Sequence, residues 1–348
     1  MSRRFVVLAL VLAWPAAVLG VTFRVPQDHA LIQAAIDLAS TTRPDTILVS
    51  AGTYFERLSI RGKPLVLRGA GQDVTTLDGQ FAGNVVTLNR VQRNTIIEDL
   101  TITGGDATHP DSVGAAIYLN QYASPTIQRC RLIGNRARAG GGLNAYVQCL
   151  PLIRDCSISD NEGGACVFEL GDADNGSTWA EVQNTVISRN AGVGVYVLKG
   201  ARVILQNCTI AFNASDGVRS DQIGRVKVLK SIVTHNQGGG IVRLDNTVCL
   251  TLACNDVFAN TQGNYLGAIP GDPCFPGRGN GDVTIDPCYQ NAAAGNFHLQ
   301  RTSPLCALRG PDSCGVIGAY EDPCGPGSNP CVVRVEASTW STVKSRYR

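Results

Sequence analysis

Apolar and polar residues alternate with period two in short runs, and these runs recur along the chain. A typical run, Cys208–Asn213, reads CTIAFN: its third position is apolar and its sixth is Asn. Seven such runs end, in steps of 30, 26, 29, 23, 23 and 24 residues, at Gly105, Asn135, Asn161, Asn190, Asn213, Asn236 and Asn260. The alternation predicts short β-strands. The recurrence predicts a repeat architecture.

A second apolar column accompanies the first. Four residues after an Asn come Gly194, Gly217 and Gly240, each followed by Val or Ile. Each unit therefore holds short strands separated by an Asn turn and a Gly. Units of about 23 residues are too short for a strand–helix–strand unit of about 30 residues or a propeller blade of about 40. They also lack the regular Leu spacing of leucine-rich repeats. Their length matches one coil of a parallel β-helix, in which each strand pairs with its counterpart about 4.8 Å away.

Stacking of like positions follows from this architecture. The first and third positions of each run should point inward, so Ile158, Ile187 and Ile210 should pile up in one file, while the Asn side chains bond to one another. The first position predicts a second inward file, in which the cysteines act as small apolar side chains; its members are Leu100, Cys130, Cys156, Thr185, Cys208 and Ser231. A bridge between Cys130 and Cys156 is an open alternative. Outward ion pairs are predicted within two columns, Asp99, Arg129 and Asp155, and Asp160 and Arg189.

The two ends of a solenoid need covers. Residues 28–40 place Ile32, Ala35, Ile36 and Ala39 at helical spacing, with Asp28 as a candidate N-cap. After about Gly263 the periodicity fades and Gly, Pro and Cys become dense, which predicts a loop-rich C-terminal cap held by disulfides. The local pairings that we expect are Cys306–Cys314, Cys274–Cys288 and Cys324–Cys331. The chain has 13 cysteines, so at least one has no partner within it.

The N-terminus has the pattern of a secretory signal. Arg3 and Arg4 precede an apolar stretch from Phe5 to Leu19, and small or neutral residues favour cleavage after Gly20. We divide the chain into a signal peptide (1–20), a parallel β-helix (21–262), a C-terminal cap (263–322), and a linker and aromatic-basic tail (323–348). We expect a secreted protein, extracellular, at the cell surface or in the periplasm, with no transmembrane segment in the mature chain.

Charge narrows the set of partners. Lys and Arg number 30 against 28 Asp and Glu, a net charge of +2, which excludes an overall basic character suited to nucleic acid. We expect the mature chain to be a monomer.

Two long stretches carry a family resemblance. The runs IQAAIDLA, DTILVSAGTYFERLSIRGKPLVLRGAG and TTLDG near the start, and IDPCYQN, GNFHLQRTSPLCALRG and GVIGAYE near the end, resemble those of secreted bacterial right-handed parallel β-helix proteins of the pectin lyase-like superfamily. That superfamily includes pectin methylesterases, pectate lyases, polygalacturonases and carbohydrate-binding relatives. The resemblance implies an all-β, right-handed parallel β-helix with an N-terminal capping helix.

The resemblance does not identify a specific enzyme family. Gly52, Tyr54 and Glu56 match a turn of pectin methylesterases, but the QDT, DFIFG and GRPW motifs of those enzymes are absent. So are the NTD, GHG and RIK motifs of polygalacturonases and the WxDH motif of pectate lyases. No catalytic residue is therefore carried over, and we interpret Glu56 as architectural.

Candidate chemistry lies where the repeat is lengthened. The 30-residue and 26-residue steps insert residues after the turn at position six on neighbouring coils, which should bring Asp106, His109, Asp111, Arg136 and Arg138 onto one wall. A lyase acting on an acidic sugar needs a base and a group that neutralises the carboxylate. His109 is the candidate base and Arg136 or Arg138 the candidate neutraliser. Asp106 and Asp111 are candidate substrate-binding residues.

Aromatic side chains and one loop complete the candidates. Tyr118 and Tyr146 could stack on sugar rings, together with Tyr122 and Tyr196. Asp172 and Asp174, two positions apart and followed by Gly176, resemble the start of a Ca²⁺ loop. No other cofactor is indicated.

Three functions remain open at this stage. The first is binding of an extracellular or cell-surface polysaccharide, which the missing catalytic motifs favour. The second is a polysaccharide lyase or glycoside hydrolase acting on an acidic polymer. The third is a structural or adhesive surface protein that contacts a cell-envelope component through its tail.

Overall fold

The fold is a right-handed parallel β-helix, as the repeats predict. The computed structural model describes residues 20–109, 114–169, 178–269, 272–307 and 314–320. The predicted signal peptide and the linker and tail thus lie almost entirely outside the described residues. Among the described helices, none is long and apolar enough to span a bilayer.

Within the described residues, the strands of successive coils form three long parallel sheets. The first sheet contains Thr22–Val25, Asp45–Val49, Leu65–Gly69, Ile96–Glu98, Thr126–Gln128, Leu152–Arg154, Trp179–Gln183, Arg202–Gln206, Arg225–Leu229 and Thr251–Ala253. The second contains Gly52–Tyr54, Thr75–Asp78, Thr101–Thr103, Arg131–Ile133, Ser157–Ser159, Val186–Ser188, Thr209–Ala211, Ile232–Thr234 and Asp256–Phe258. The third contains Leu58–Arg61, Val86–Asn89, Ile117–Asn120, Leu143–Tyr146, Cys166–Glu169, Val195–Leu198, Val218–Ser220, Gly239–Arg243 and Gly263–Leu266.

Successive coils lie in register. Ile158 pairs with Ile187, and Ile187 with Ile210, and all three are fully buried. The predicted file of Leu100 and the small residues that follow it is buried as well. The two apolar columns seen in the sequence correspond to the second and third sheets. The first sheet follows the same alternation, but it has no Asn or Gly marker that would identify it.

The asparagines form a continuous ladder inside the solenoid, as predicted. Each Nδ2 donates to the Oδ1 of the Asn one coil on, at 2.9–3.0 Å, from Asn135 through Asn236 to Asn260. The ladder ends where Asn260 donates to Asn264 Oδ1 at 3.1 Å. Each Oδ1 also accepts the backbone N–H of the preceding ladder residue, so the turn is satisfied coil by coil.

The outward charges form pairs as predicted. Arg129 contacts Asp99 at 2.7 Å, and Arg189 contacts Asp160 at 2.8 Å. Asp155 accepts a hydrogen bond from Asn184 at 3.1 Å. Exposed pairs of this kind contribute about 0–1 kcal/mol each.

The N-terminal cap is the helix α1, Ile32–Leu38, whose residues Ile32, Ala35 and Ile36 are buried against the first coil. The predicted N-cap at Asp28 is wrong, because this carboxylate accepts from the backbone N–H of Arg24 instead. The helix start is capped from the next coil by Glu56, which accepts from Ile32 N at 2.8 Å and Gln33 N at 3.0 Å. This contact confirms Glu56 as an architectural residue.

The C-terminal cap folds back over the outer face of the second sheet. It consists of a hairpin of Tyr289–Asn291 and Asn296–Leu299, a 3₁₀ turn at Ala292–Ala294 and the short helix α2, Pro304–Ala307. Phe297 and Leu299 are buried there, and Ala319 N donates to Thr209 Oγ1 at 3.1 Å. The cap therefore buries the last coils on two sides.

Two of the expected disulfides are wrong. Cys274 is bonded to Cys249, and Cys314 to Cys254, so Cys274–Cys288 and Cys306–Cys314 do not form. Both bonds link the last coils to the cap. The bonded cysteines are 25 and 60 residues apart in the sequence, so short spacing along the chain does not identify them. Cys324 and Cys331 lie outside the described residues. The solenoid also holds buried free thiols, which rules out a Cys130–Cys156 bridge in this structure; these thiols are Cys130, Cys149, Cys156, Cys166 and Cys208.

Candidate functional site

The outer face of the third sheet carries a cluster of aromatic and polar side chains. Because neighbouring side chains alternate across a strand, the residues between the core positions point outward. We use the term tyrosine face for the outward residues Tyr118, Asn144, Tyr146, Glu169 and Tyr196 together with Lys199, which follows the strand Val195–Leu198.

Strand register aligns this face along the solenoid axis. Tyr118 pairs with Asn144, Asn144 with Val167, and Val167 with Tyr196. The two tyrosines of this column are three coils apart, which corresponds to about 14 Å at the usual strand spacing. Tyr146 stands in the neighbouring column, where it pairs with Glu169. The three rings thus lie on one face, each about half-buried.

Glu169 connects the polar part of the face. Its carboxylate accepts from Lys199 Nζ at 3.0 Å and from Asn144 Nδ2 at 3.3 Å. Asn144 is fully buried although it points outward, and its Oδ1 has no hydrogen-bond partner within the described residues. Gly114 and Gly140 explain this burial, because a Cβ on either would lie 2.7 Å or 3.3 Å from Asn144 Cβ.

A second set of bonds fixes the last tyrosine of the column. Tyr196 donates to Asp221 Oδ2 at 3.0 Å, and the Arg219 guanidinium lies 5.5 Å from the centre of the Tyr196 ring. Arg219 in turn contacts Asp216 at 2.6 Å. The ring is held in place from two sides.

The phenols of Tyr118 and Tyr196 remain neutral at physiological pH. Burial, with smaller effects from Tyr146, Cys149 and Glu169, raises the pKa of Tyr118 to about 12. Burial and the hydrogen bond to Asp221 raise the pKa of Tyr196. Neutral phenols offer an apolar ring together with a hydroxyl donor, which suits sugar rings better than it suits acid–base chemistry.

Part of the predicted catalytic wall is described, as a short two-stranded ladder at the corner between the second and third sheets, and its catalytic role stays a prediction. Asp106 pairs with Arg136, and their side chains form an ion pair at 3.0 Å. The Arg136 guanidinium also lies 4.3 Å from the centre of the Phe81 ring. His109 and Arg138 are exposed near this ladder, where Arg138 N donates to Ala107 O at 3.4 Å. Asp111 lies outside the described residues.

The predicted Ca²⁺ ligands, Asp172 and Asp174, also lie outside the described residues, so that site stays a prediction. Among the residues that the structure describes, no group of three or more His, Cys, Asp and Glu side chains is placed to hold a metal ion.

Sequence reasoning found the tyrosines but not their polar partners. Tyr118, Tyr146 and Tyr196 stand out as aromatic residues at outward positions. Asn144, Glu169 and Lys199 carry no motif that marks them as site residues. The signal available was the length of the coil between Tyr146 and Glu169. Once that length is known, the strand pairing places the two residues side by side.

Residues 170–267 match the family model described as the right handed beta helix region. The match agrees with the right-handed β-helix fold of the described coils. The match covers the most regular coils of the solenoid. No curated protein sequence matches the chain significantly.

Solved structures share the fold at low sequence identity. The A-module of mannuronan C-5 epimerase AlgE4 from Azotobacter vinelandii aligns with a TM-score of 0.45 and 19% identity, over 68% of this chain and 74% of that one. The A-module of AlgE6 from the same organism gives 0.43 and 18%, over 66% and 72%. Pectin methylesterase from carrot gives 0.43 and 14%, over 81% and 93%. These similarities concern the fold alone.

Proposed function

We propose that this protein is exported and binds an extracellular or cell-surface polysaccharide along the tyrosine face. The observation that carries the proposal is the placement of Tyr118, Tyr146 and Tyr196 on one sheet face, with their rings half-buried in two neighbouring columns over four coils. An extended glycan lying along the solenoid axis would meet a ring on several coils, and the polar groups between the rings would bond to its hydroxyls.

The polar groups of this face favour binding over catalysis. An inverting hydrolase needs two free carboxyl groups about 6.5–9.5 Å apart. Within the described residues of this face, Glu169 is bound by Lys199, and Asp221 is bound by Tyr196. A lyase needs a cation that can neutralise a substrate carboxylate, and of the two candidates at the Asp106 ladder, Arg136 is already paired with Asp106.

Export is supported by the N-terminal pattern and by the disulfides. An apolar stretch behind two arginines is typical of a secretory signal. Cys249–Cys274 and Cys254–Cys314 are bonds that persist in an oxidising compartment. Mass spectrometry of the protein secreted by its host should show a mature chain that begins at Val21.

The binding experiment uses the purified protein and a panel of neutral and acidic polysaccharides. Retention on each polymer is measured by affinity electrophoresis, and absorbance of unsaturated products and release of reducing ends are recorded on the same samples. We expect retention on at least one polymer without either product. Tyr118→Ala and Tyr146→Ala should each weaken binding about tenfold, since an aromatic contact in such a site contributes about 1–1.5 kcal/mol.

Phe55→Ala is the matched control. Phe55 is an exposed aromatic residue that follows the strand Gly52–Tyr54 of the second sheet and lies outside the tyrosine face, so its loss should leave retention unchanged. Polymer retention that is equal in wild type and both face variants would refute the tyrosine face as the binding site. Product formation would replace the proposal with an enzyme. Absence of retention on every glycan, combined with binding to whole cells, would favour the adhesive function.

A further inference from the structure

A groove on the outer face of the first sheet combines an exposed tryptophan with three cations. It has a volume of about 420 Å³. Trp179, Arg202 and Arg225 form one outward column on three successive coils, and Lys227 stands in the next column. The Trp179 side chain is 46% exposed, and the Arg202 guanidinium lies 6.0 Å from the centre of its ring.

Three cations of this groove carry no ion pair in the part of the chain that the structure describes. Within the described residues, no ion pair joins Arg202, Arg225 or Lys227 to an acidic side chain. The nearby carboxylates have other contacts: Glu181 accepts from Gln183 Nε2 at 3.3 Å, and Asp245 accepts from Thr247 Oγ1 at 2.7 Å. Most other arginines of the solenoid surface contact a carboxylate, including Arg129, Arg136, Arg189 and Arg219. The groove therefore brings together three cations that have no ion pair among the described residues.

One wall of the groove is fixed in place. Thr247, Val248 and Cys249 form this wall, and Cys249 is cross-linked to Cys274 of the cap. Asp245 ties the same loop to the preceding coil by accepting from Ile223 N at 2.8 Å. The floor consists of paired strands, so little ordering is needed when a ligand enters.

We infer that this groove is a second binding site, separate from the tyrosine face, for an extended glycan that carries carboxylate or sulfate groups. Trp179 offers an apolar ring to the sugar, and Thr247 and Thr251 offer hydroxyls at its edge. Arg202 and Arg225 are one coil apart, about 4.8 Å, which is close to the length that one sugar ring spans in an extended chain. Single-stranded nucleic acid fits less well, because its binding sites stack successive bases on several aromatic side chains and this groove has one.

The test measures affinity for anionic glycans by calorimetry at several salt concentrations. The probes are polygalacturonate, its fully methyl-esterified form, a heparin oligosaccharide and a single-stranded DNA oligonucleotide. We expect binding to polygalacturonate or heparin that weakens with salt, and binding to the esterified polymer that is at least tenfold weaker. An R225Q/K227Q double variant should lose about tenfold or more in affinity and lower the slope of log K against log salt by about two. W179A should weaken binding without changing that slope.

The control is the charge-matched double variant K230Q/R301Q, whose two side chains are exposed outside the groove. It should bind as the wild type does. Equal affinity of R225Q/K227Q and K230Q/R301Q would overturn the inference, as would tighter binding of the DNA than of both anionic glycans. Tyr118→Ala separates the two proposals, because it should leave this salt-dependent binding intact even if the tyrosine face binds no glycan.

Discussion

The asparagine ladder is the internal feature whose energetic role can be tested most directly, with Asn190→Ala. Asn190 Nδ2 donates to Ile158 O and Ser188 O at 3.1 Å and to Asn213 Oδ1 at 2.9 Å. Its Oδ1 accepts from Asn161 N at 3.1 Å and from Asn161 Nδ2 at 3.0 Å. All of these groups are buried, so water cannot replace the lost partner without opening the coil.

The expected cost follows from the groups left unpaired. An orphaned buried backbone N–H, here that of Asn161, costs about 1–3 kcal/mol, and each further broken hydrogen bond costs about 1 kcal/mol. With at least two further bonds lost, we expect the free energy of unfolding to fall by about 3–5 kcal/mol. Equilibrium denaturation in guanidinium chloride, followed by circular dichroism, measures this change, and an unchanged m-value shows that the same transition is being compared.

Asn246→Ala is the matched control, because Asn246 is exposed in a loop and makes no ladder contact. It should change the free energy of unfolding by less than about 0.5 kcal/mol. The double variant Asn161→Ala/Asn190→Ala should cost less than the sum of its single changes, because neighbouring ladder residues share bonds. If the free energies of unfolding of Asn190→Ala and Asn246→Ala differed by less than about 1 kcal/mol, the ladder would be a consequence of coil stacking and not a source of stability.

Three further predictions concern the two caps. Glu56→Ala should lower the free energy of unfolding by about 2 kcal/mol, because two helix N–H groups lose their acceptor. The control is Glu162→Ala, whose free energy of unfolding is measured by the same denaturation experiment. A Cys254→Ser/Cys314→Ser variant should lose about 4 kcal/mol of unfolding free energy relative to the oxidised wild type, since the bond closes a loop with a sequence separation of 60; a variant as stable as the oxidised wild type would contradict this. Burial, with smaller effects from Asp286 and Asp282, raises the pKa of Asp256 to about 8 from its ordinary 3.8. The folded state therefore holds a proton that the unfolded state loses, so stability should fall as pH rises from about 4 to about 8; Asp256→Asn should flatten that dependence, and an unchanged pH profile would rule out this carboxyl as its source.

The regular part of the fold was predictable because each coil repeats the same local rule. Ile158, Ile187 and Ile210 occupy the same place in their runs, so knowing one orientation gives all three. The same rule places Tyr118 and Tyr146 outward. Such positions depend only on alternation along a strand and on the length of each coil.

Contacts between distant parts of the chain were not predictable in this way. The acceptor for helix α1 is Glu56 and not the adjacent Asp28, because the next coil brings a carboxylate closer to the free N–H groups than the preceding turn does. The disulfide partners of Cys274 and Cys314 lie on the last coils, so short spacing in sequence misled the pairing. Asn144 is buried by glycine-containing turns whose path the strand pattern does not specify.

The cysteines divide into two populations with opposite chemistry. Those of the solenoid interior are thiols, and burial raises the pKa of Cys149 and of Cys208 to about 12, so almost none is present as the nucleophilic thiolate. Those of the cap are oxidised. An unfolded chain would expose both kinds to the same oxidant. Every interior thiol could then form a non-native disulfide with a cap cysteine. The order of events during maturation therefore matters. If the coils fold before oxidation begins, the interior thiols are buried and cannot react, so Cys274 and Cys314 can pair with Cys249 and Cys254.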